Sequence, residues 1–395
     1  MIMFEIRGRY NTAIVYAERT DQDSVAQVMA MCNTPYLAES RIRMMPDMHA
    51  AEGCTVGTSM TITNRANPAW VGGDIGCGMQ VYKLKEREID CPALDAVIRS
   101  EIPSGAAIFP GVNKAVRALK LTDLICHEWT RKKIVDASLG TLGGGNHFIE
   151  VDRDMDGALY LVIHSGSRRL GRDVATYWQN EAFCQTNGFD PKLFAKRKVD
   201  ISKAKVKKPL CYLEDEALEG YLHDMNIAVR YAVRSRELMG ETILSALNLH
   251  VEESFATIHN YIDTAHGVLR KGAVSAQAGE KLIIPINMRD GSLICVGKGN
   301  PEWNCTAPHG AGRMMTRSQA KEEITLEEYR EAMAGIYSTS VSESTIDESP
   351  MAYRAIDEIL DVVEDTAAVT ALLTPVYNFK ASKAAVDEDT MDGND

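Results

Sequence analysis

Apolar and polar side chains alternate along residues 1–18, MIMFEIRGRYNTAIVYAE, the period-two pattern of strands with one inward face. Asp21 then reads as the N-cap of a short helix over residues 24–31. The β-branched and small residues of 55–62 suit a buried strand, and MQVYKL (79–84) suits another. Helical spacing returns in LDAVIRSEI (94–102), followed by a loop, PSGAAIFPG (103–111). Residues 148–151 alternate as a strand, and 159–164 form an apolar strand ending in a histidine. Residues 173–250 read as mostly helix, with Tyr221, Met225, Ala228 and Ala232 as its core stripe. His223 falls off that stripe and is expected at the surface, with Arg234 and Arg236 on or near the polar side. Residues 281–288 make a strand that turns at RDGS (289–292) into LICVG. By itself, this alternation of strands and helices points to a doubly wound sheet.

Composition narrows the class. The chain has 395 residues, 45% apolar and 25% charged, which is ordinary for a soluble globular protein. No apolar run reaches the roughly 18 residues of a membrane span, and the N-terminus lacks the basic and apolar regions of a signal peptide. Nine cysteines, odd in number and without a CxxC pair, argue for a reducing cytoplasm over a disulfide framework. A net charge of −12 disfavours non-specific coating of nucleic acid. It leaves room for a local basic track, KRKVDISKAKVKK (196–208), which reads equally as a solvated loop or as an RNA-facing patch. The acidic tail, 384–395, is expected to be disordered.

The candidate chemistry centres on VGGDIGCGM (71–79), where glycines allow a tight loop to aim Asp74 and Cys77 at one point. Such a loop is commonly just a turn, so the case rests on its companions. LGTLGGGNHFIEV (139–151) brings Asn146 and His147 after three glycines able to expose N–H groups to phosphate. His164 ends a strand and runs into SGSRRLGR (165–172). His259 precedes Asn260, and HGVLRKGA (266–273) reads as a turn bearing Arg270 and Lys271. Asp47 and His49 in MPDMH could serve a site or form a turn; Cys126 and His127 read as packing residues. His309 lies in a proline-glycine loop, APHGAGR (307–313), with Arg313 four residues on, as a nucleophilic or phosphate-handling histidine requires. Asp74, Cys77, His147, His164 and His259 exceed one tetrahedral site. Two metals sharing the thiolate would use all five and suit phosphoryl chemistry. His309 would remain free to attack an α-phosphate, with Arg168, Arg169 and Arg313 spreading positive charge around it. Neither a P-loop nor a G-x-G-x-x-G opening a helix is present.

At these residues the chain resembles the RtcB family of RNA-splicing ligases. The likeness is carried by MPDMH (45–49), GGDIGCGM (72–79), LGGGNHFIE (142–150), HSGSRRLG (164–171), HN (259–260), RKGA (270–273), PINM (285–288), GKGNPEWN (297–304), APHGAGR (307–313) and DESPMAYR (347–354). In length it is similar to the short bacterial members, including the branch associated with release factor H. The resemblance implies an α+β fold, a single large domain (1–383) of mixed sheets and helices around a central dinuclear metal cleft. It implies two Mn(II) ions and GTP, with Cys77 bridging the metals, Asp74 and His147 on one, and His164 and His259 on the other. His309 becomes the guanylylated residue. GTP contacts fall on Asn146, His147, Phe148, Ile149, Glu150, His259, Asn260, Pro285, Ile286, Asn287, Met288, Ser292, His309, Gly310, Ala311, Gly312 and Lys380, the last in a weakened C-terminal lysine motif, YNFKA. The implied substrates are RNA with a 3′-phosphate or 2′,3′-cyclic phosphate and RNA with a 5′-hydroxyl, in RNA repair or tRNA splicing-type ligation, with no membrane partner. An activating or release-factor-like partner is left open. Thiolate itself favours zinc, so manganese comes from the resemblance. The rival readings are a dinuclear phosphoesterase or cyclic phosphodiesterase, and a non-catalytic RNA-end binder.

Overall fold

A computed structural model describes residues 4–381; the acidic tail lies outside the described residues. Two sheets carry the architecture. The six-stranded sheet runs, in spatial order, Phe4–Arg7, Thr12–Val15, Ile42–His49, Val56–Thr61, Val268–Lys271 and Asn260–Asp263. The seven-stranded sheet runs Val251–Ile258, Gly78–Leu84, Leu159–Ser165, Phe148–Arg153, Ala367–Lys380, Gly291–Gly297 and Lys281–Asn287. Within these two sheets the one parallel pairing is Thr12–Val15 with Ile42–His49. The doubly wound expectation is therefore overturned in favour of mixed, largely antiparallel sheets. Periodicity identified the strands but carried no information about their direction, because hairpins and long returns give the same alternation as βαβ crossovers.

Local signals hold where they are short-range. Asp21 caps the helix Gln22–Cys32, its carboxylate accepting from Ser24 N at 2.7 Å. Asp90 caps Cys91–Glu101 in the same way. The long helix Asp215–Ala246 buries Tyr221, Met225, Ala228 and Ala232 as its stripe predicts. The stripe continues one turn onto Arg236, which is fully buried, so its placement near the polar side is corrected; Arg234 is outside and pairs with Glu237 and Glu241. The expected turn bearing Arg270 and Lys271 is a central strand instead. Arg270 is tolerated there because Asp263 Oδ2 meets its guanidinium at 2.9 Å and Thr306 Oγ1 accepts from Nε at 3.0 Å.

One face of the seven-stranded sheet (Tyr82, Leu84, Ile149, Val151, Leu161, Ile163) packs on Leu94, Ile98, Met239 and Ile243 of the two helices. Its other face curls on itself: Met79, Val81, Phe148 and Val162 meet Ile283, Ile294 and Leu373 from the far strands. The chain passes from one sheet to the other at His259, between Val251–Ile258 and Asn260–Asp263. No described helix is long and apolar enough to cross a membrane, and all nine cysteines are free.

Asp224 ties the periphery to this frame. Fully buried, it accepts from Ile125 N (2.8 Å), Cys126 N (3.1 Å) and Trp178 Nε1 (3.0 Å). Asp224→Ala strands three buried donors, and urea unfolding should record a loss of about 2–4 kcal/mol while Co(II) affinity stays unchanged.

A candidate metal centre beside an oriented histidine

The junction of the two sheets gathers the sequence candidates. Asp74 and Cys77 hang from the loop between the short helix Pro68–Val71 and the strand Gly78–Leu84. His147 immediately precedes Phe148–Arg153, and His164 is the penultimate residue of Leu159–Ser165. Register aligns them: Met79 pairs with His164, which pairs in turn with Phe148. His259 is clamped from both sides, its N donating to Cys77 O at 2.9 Å and its carbonyl accepting from Gly272 N at 2.7 Å.

Cys77 Sγ lies 3.2 Å from His164 Nε2 and 3.5 Å from His147 Nε2. His164 Nε2 lies 3.4 Å from His259 Nε2, and His147 Nε2 lies 3.1 Å from Asp74 Oδ2. On their other side, His147 Nδ1 faces Leu142 O (2.9 Å) and His164 Nδ1 faces Asn146 O (3.2 Å). A carbonyl only accepts, so those contacts assign a proton to Nδ1 of each ring; the His164 Nε2 lone pair then faces the thiol, while His147 Nε2 lies between the thiol and the Asp74 carboxylate. Burial pushes the His164 and His259 imidazoles well below their usual range, with neighbouring imidazoles adding to the effect. Burial and the Asp74 charge push the Cys77 thiol well above its own, while Arg236 opposes them. Burial also raises the Asp74 carboxyl, but the His147 hydrogen bond and charge outweigh it and hold it at about 2. Imidazoles, an ionised carboxylate and a thiol crowded into one buried place are a donor set that fits a divalent cation, which would replace the thiol proton on binding.

Two features keep this loop in place. Gly166 admits no side chain, since a Cβ there would lie 1.9 Å from Asp74 Oδ1, and Ser167 N donates to that oxygen at 3.1 Å. Arg236 passes beneath, donating to Gly76 O at 2.9 Å and Ser165 O at 2.7 Å. It braces the turn holding Cys77 to the strand end holding His164.

His309 stands beside the cluster, its ring 4.9 Å from that of His259. Fully buried Asp47 accepts from its Nδ1 at 2.7 Å and from its backbone N at 3.2 Å. The proton is thereby fixed on Nδ1, and Nε2 carries the lone pair. Gly312, at φ +76°, lets the following loop pass Asp47; a Cβ there would sit 2.8 Å from Asp47 O. His49 joins the wall with Nδ1 facing Asp47 O at 3.0 Å.

A cleft of about 300 Å³ opens in front of these groups. Asn146, Phe148, Glu150 and Asn260 line it, as do Pro285, Ile286, Asn287 and Met288 and the loop Gly310, Ala311 and Gly312. Lys380 reaches its wall, the ammonium donating to Glu348 Oε2 at 2.6 Å over the Phe148 ring. Two candidates fall elsewhere. The Ile149 side chain faces the opposite side of the strand, buried in the helix-packed core, because neighbouring residues of a strand point to opposite faces. Ser292 lies behind the wall, its hydroxyl 3.5 Å from Glu150 Oε1. Asn260 turns both amide ends onto backbone, donating to Asp74 O (3.3 Å) and accepting from Gly272 N (3.0 Å). Arg313, expected near phosphate, lines the cleft; so do Arg317, Glu348, Lys271 and Asn378, which were not singled out as ligand contacts. Of these, Asn378 donates to Glu150 Oε2 at 2.6 Å. Burial pushes Glu150 up to about 7 against that bond, and pushes its neighbour Asp152 well above its usual range, with the Glu150 charge adding.

Fold and site together define a mixed α/β protein in which buried Cys77, His147 and His164 could hold a metal ion, with an oriented histidine beside them. The profile of the family described as tRNA-splicing ligase RtcB matches residues 27–126 and 120–381. RNA-splicing ligase RtcB of Escherichia coli K12 is 30% identical over 401 residues, covering 91% of this chain and 94% of that protein. The tRNA-splicing ligase RtcB of Aeropyrum pernix is 27% identical, covering 89% and 90%. RNA-splicing ligase RtcB of Mycobacterium tuberculosis is 26% identical, covering 89% and 99%. The chain belongs to the RtcB family.

Two outcomes check this geometry. Co(II) should give a thiolate charge-transfer band that Cys77→Ser abolishes, and Arg236→Met should weaken Co(II) binding by about tenfold or more without touching a ligand. Glu348, raised by burial but lowered further by Lys380 and Arg317, sits at about 2 against an ordinary 4.5. Its stabilising effect is full above that ordinary value and fades as pH falls toward the folded one. Unfolding followed against pH should therefore show Glu348→Gln less stable at neutral pH, with the gap closing under acid.

Proposed function

We propose that this chain is an RNA ligase that joins RNA ending in a 3′-phosphate or 2′,3′-cyclic phosphate to RNA beginning with a 5′-hydroxyl, using GTP and two Mn(II) ions. The observation that carries the reading is His309: an imidazole whose Nε2 lone pair is free and whose Nδ1 proton is tied to buried Asp47, 4.9 Å ring to ring from His259. A hydrolase needs no such nucleophile beside its metals, and an RNA-end binder needs none at all.

Asp74 and His147 would hold one metal, His164 and His259 the other, and Cys77 both. When bound, the metals neutralise phosphate charge and lower the pKa of coordinated water or hydroxyl. His309 Nε2 attacks the α-phosphorus of GTP; the N–P bond forms and pyrophosphate leaves. Asp47 keeps the Nδ1 proton in place and stabilises the cationic ring while the adduct persists. Water first opens any cyclic phosphate. An oxygen of the RNA 3′-phosphate then displaces His309 from the guanylyl group, and the 5′-hydroxyl oxygen attacks the 3′-phosphorus. GMP leaves, and the hydroxyl proton passes to solvent.

The wall chemistry suits guanine. Glu150 offers carboxylate oxygens to paired N–H donors and Lys380 offers a donor to a carbonyl, while Phe148 gives an apolar face. Arg313 and Arg317, held by Asp347 and Glu348, bring positive charge toward the phosphates. Nine free cysteines suit the cytoplasm.

The test is a covalent label. Incubated with α-labelled GTP and Mn(II) and then denatured, the protein should carry acid-labile, alkali-stable label. His309→Ala should carry none, and Asp47→Asn should label about 100-fold more slowly or worse. A wild-type protein that takes no label under these conditions rejects the ligase reading.

A further inference from the structure

The basic segment 196–208 has a definite place. We propose that Lys196, Lys198, Lys205 and Lys207 form a phosphate-binding ridge along which the body of an RNA strand lies as its end enters the cleft; this rests on the ligase reading above.

All four lysines are exposed, and no ion pair engages them among the described residues. The acids around them are otherwise occupied. Asp190 caps Lys192 N (2.8 Å), and Asp200 caps Ser202 N (3.1 Å) and faces Lys203 at 3.8 Å. The backbone beneath the lysines is held rather than loose. Asn187 Oδ1 accepts from Lys205 N (2.7 Å) and Val206 N (2.9 Å), and its Nδ2 donates to Val206 O (3.1 Å). Ordering cations in advance lowers the entropy lost when they meet a polyanion.

The ridge also leads somewhere. Its end is pinned at Pro209, whose carbonyl accepts from Asn67 Nδ2 (2.8 Å) and Trp70 Nε1 (3.0 Å). Those residues cap and form the helix Pro68–Val71, which runs directly into the Asp74–Cys77 loop. Lys208 lies within electrostatic reach of Glu52, whose carbonyl accepts from Lys271 Nζ, and Lys271 lines the cleft. Lys208 and Lys271 thus both neighbour Glu52, on a chain whose net charge is −12. Exposed lysines on a backbone held by Asn187 match a single strand's phosphates and read no sequence.

The experiment uses the full chain and its variant Lys196→Gln/Lys198→Gln/Lys205→Gln/Lys207→Gln. The probe is a fluorescent single strand of roughly 20 nucleotides with a 3′-phosphate, titrated between about 50 and 200 mM salt. The slope of log affinity against log salt should fall by about 0.7 for each lysine that meets a phosphate, and by about 3 for all four. Thermal unfolding and His309 labelling by GTP should stay at the wild-type level. An unchanged slope overturns the ridge even if the protein labels normally. So does variant-sensitive capture by anionic phospholipid vesicles with RNA affinity unaltered. A wild type that takes no label while the slope falls defeats the ligase reading and leaves the ridge standing.

Discussion

At the junction of the two sheets, buried side chains able to ligate a metal crowd against one another. His164 Nε2 confronts both Cys77 Sγ and His259 Nε2, and His147 Nε2 confronts Cys77 and the Asp74 carboxylate. Burying so many polar groups in one place is unfavourable unless each finds a partner. The rest of the fold forces them together. Ladder register sets His164 between Met79 and Phe148, and His259 crosses from one sheet to the other. A divalent cation would satisfy these donors together, so the folded geometry fits a metal ion in a way the unfolded chain would not.

Around the cluster, buried charges act mainly on backbone and on one another. Among the described residues Arg236 forms no ion pair with a carboxylate; it grips two carbonyl oxygens and puts a cation near Cys77. Its Nε and NH2 groups remain unpartnered, the kind of arrangement retained for geometry rather than stability. Asp47 bonds both the backbone and the ring of His309, fixing the loop and the tautomer together. Glu348 gathers Lys380, Arg317 and Arg313 into one network, so the cations of the cleft hold fixed positions before any phosphate arrives.

Part of this was legible in the chain. Several strands and helices follow from periodicity and capping residues, though 188–214, expected within a mostly helical stretch, is largely loop and short turns; Asp74, Cys77, His147, His164, His259 and His309 stand out because glycine loops or strand ends present them. Arg236 carried a signal too, as the next step of the stripe through Ala232, but an arginine is not expected in a core. Lys271 and Arg270 were missed because glycine on both sides of VLRK imitates a turn, whereas pairing on both edges makes it a strand.

The sequence by itself determined which residues could bind metal or act as nucleophile, since those capacities belong to side chains and their neighbours. Only the tertiary structure decided which of them meet. The curl that brings Phe148 against Ile283 and Ile294, and the bond that ties His259 to Cys77, join residues more than a hundred positions apart. Local patterning carries no record of such contacts, because loop closure joins distant segments at a cost that barely depends on what lies between them.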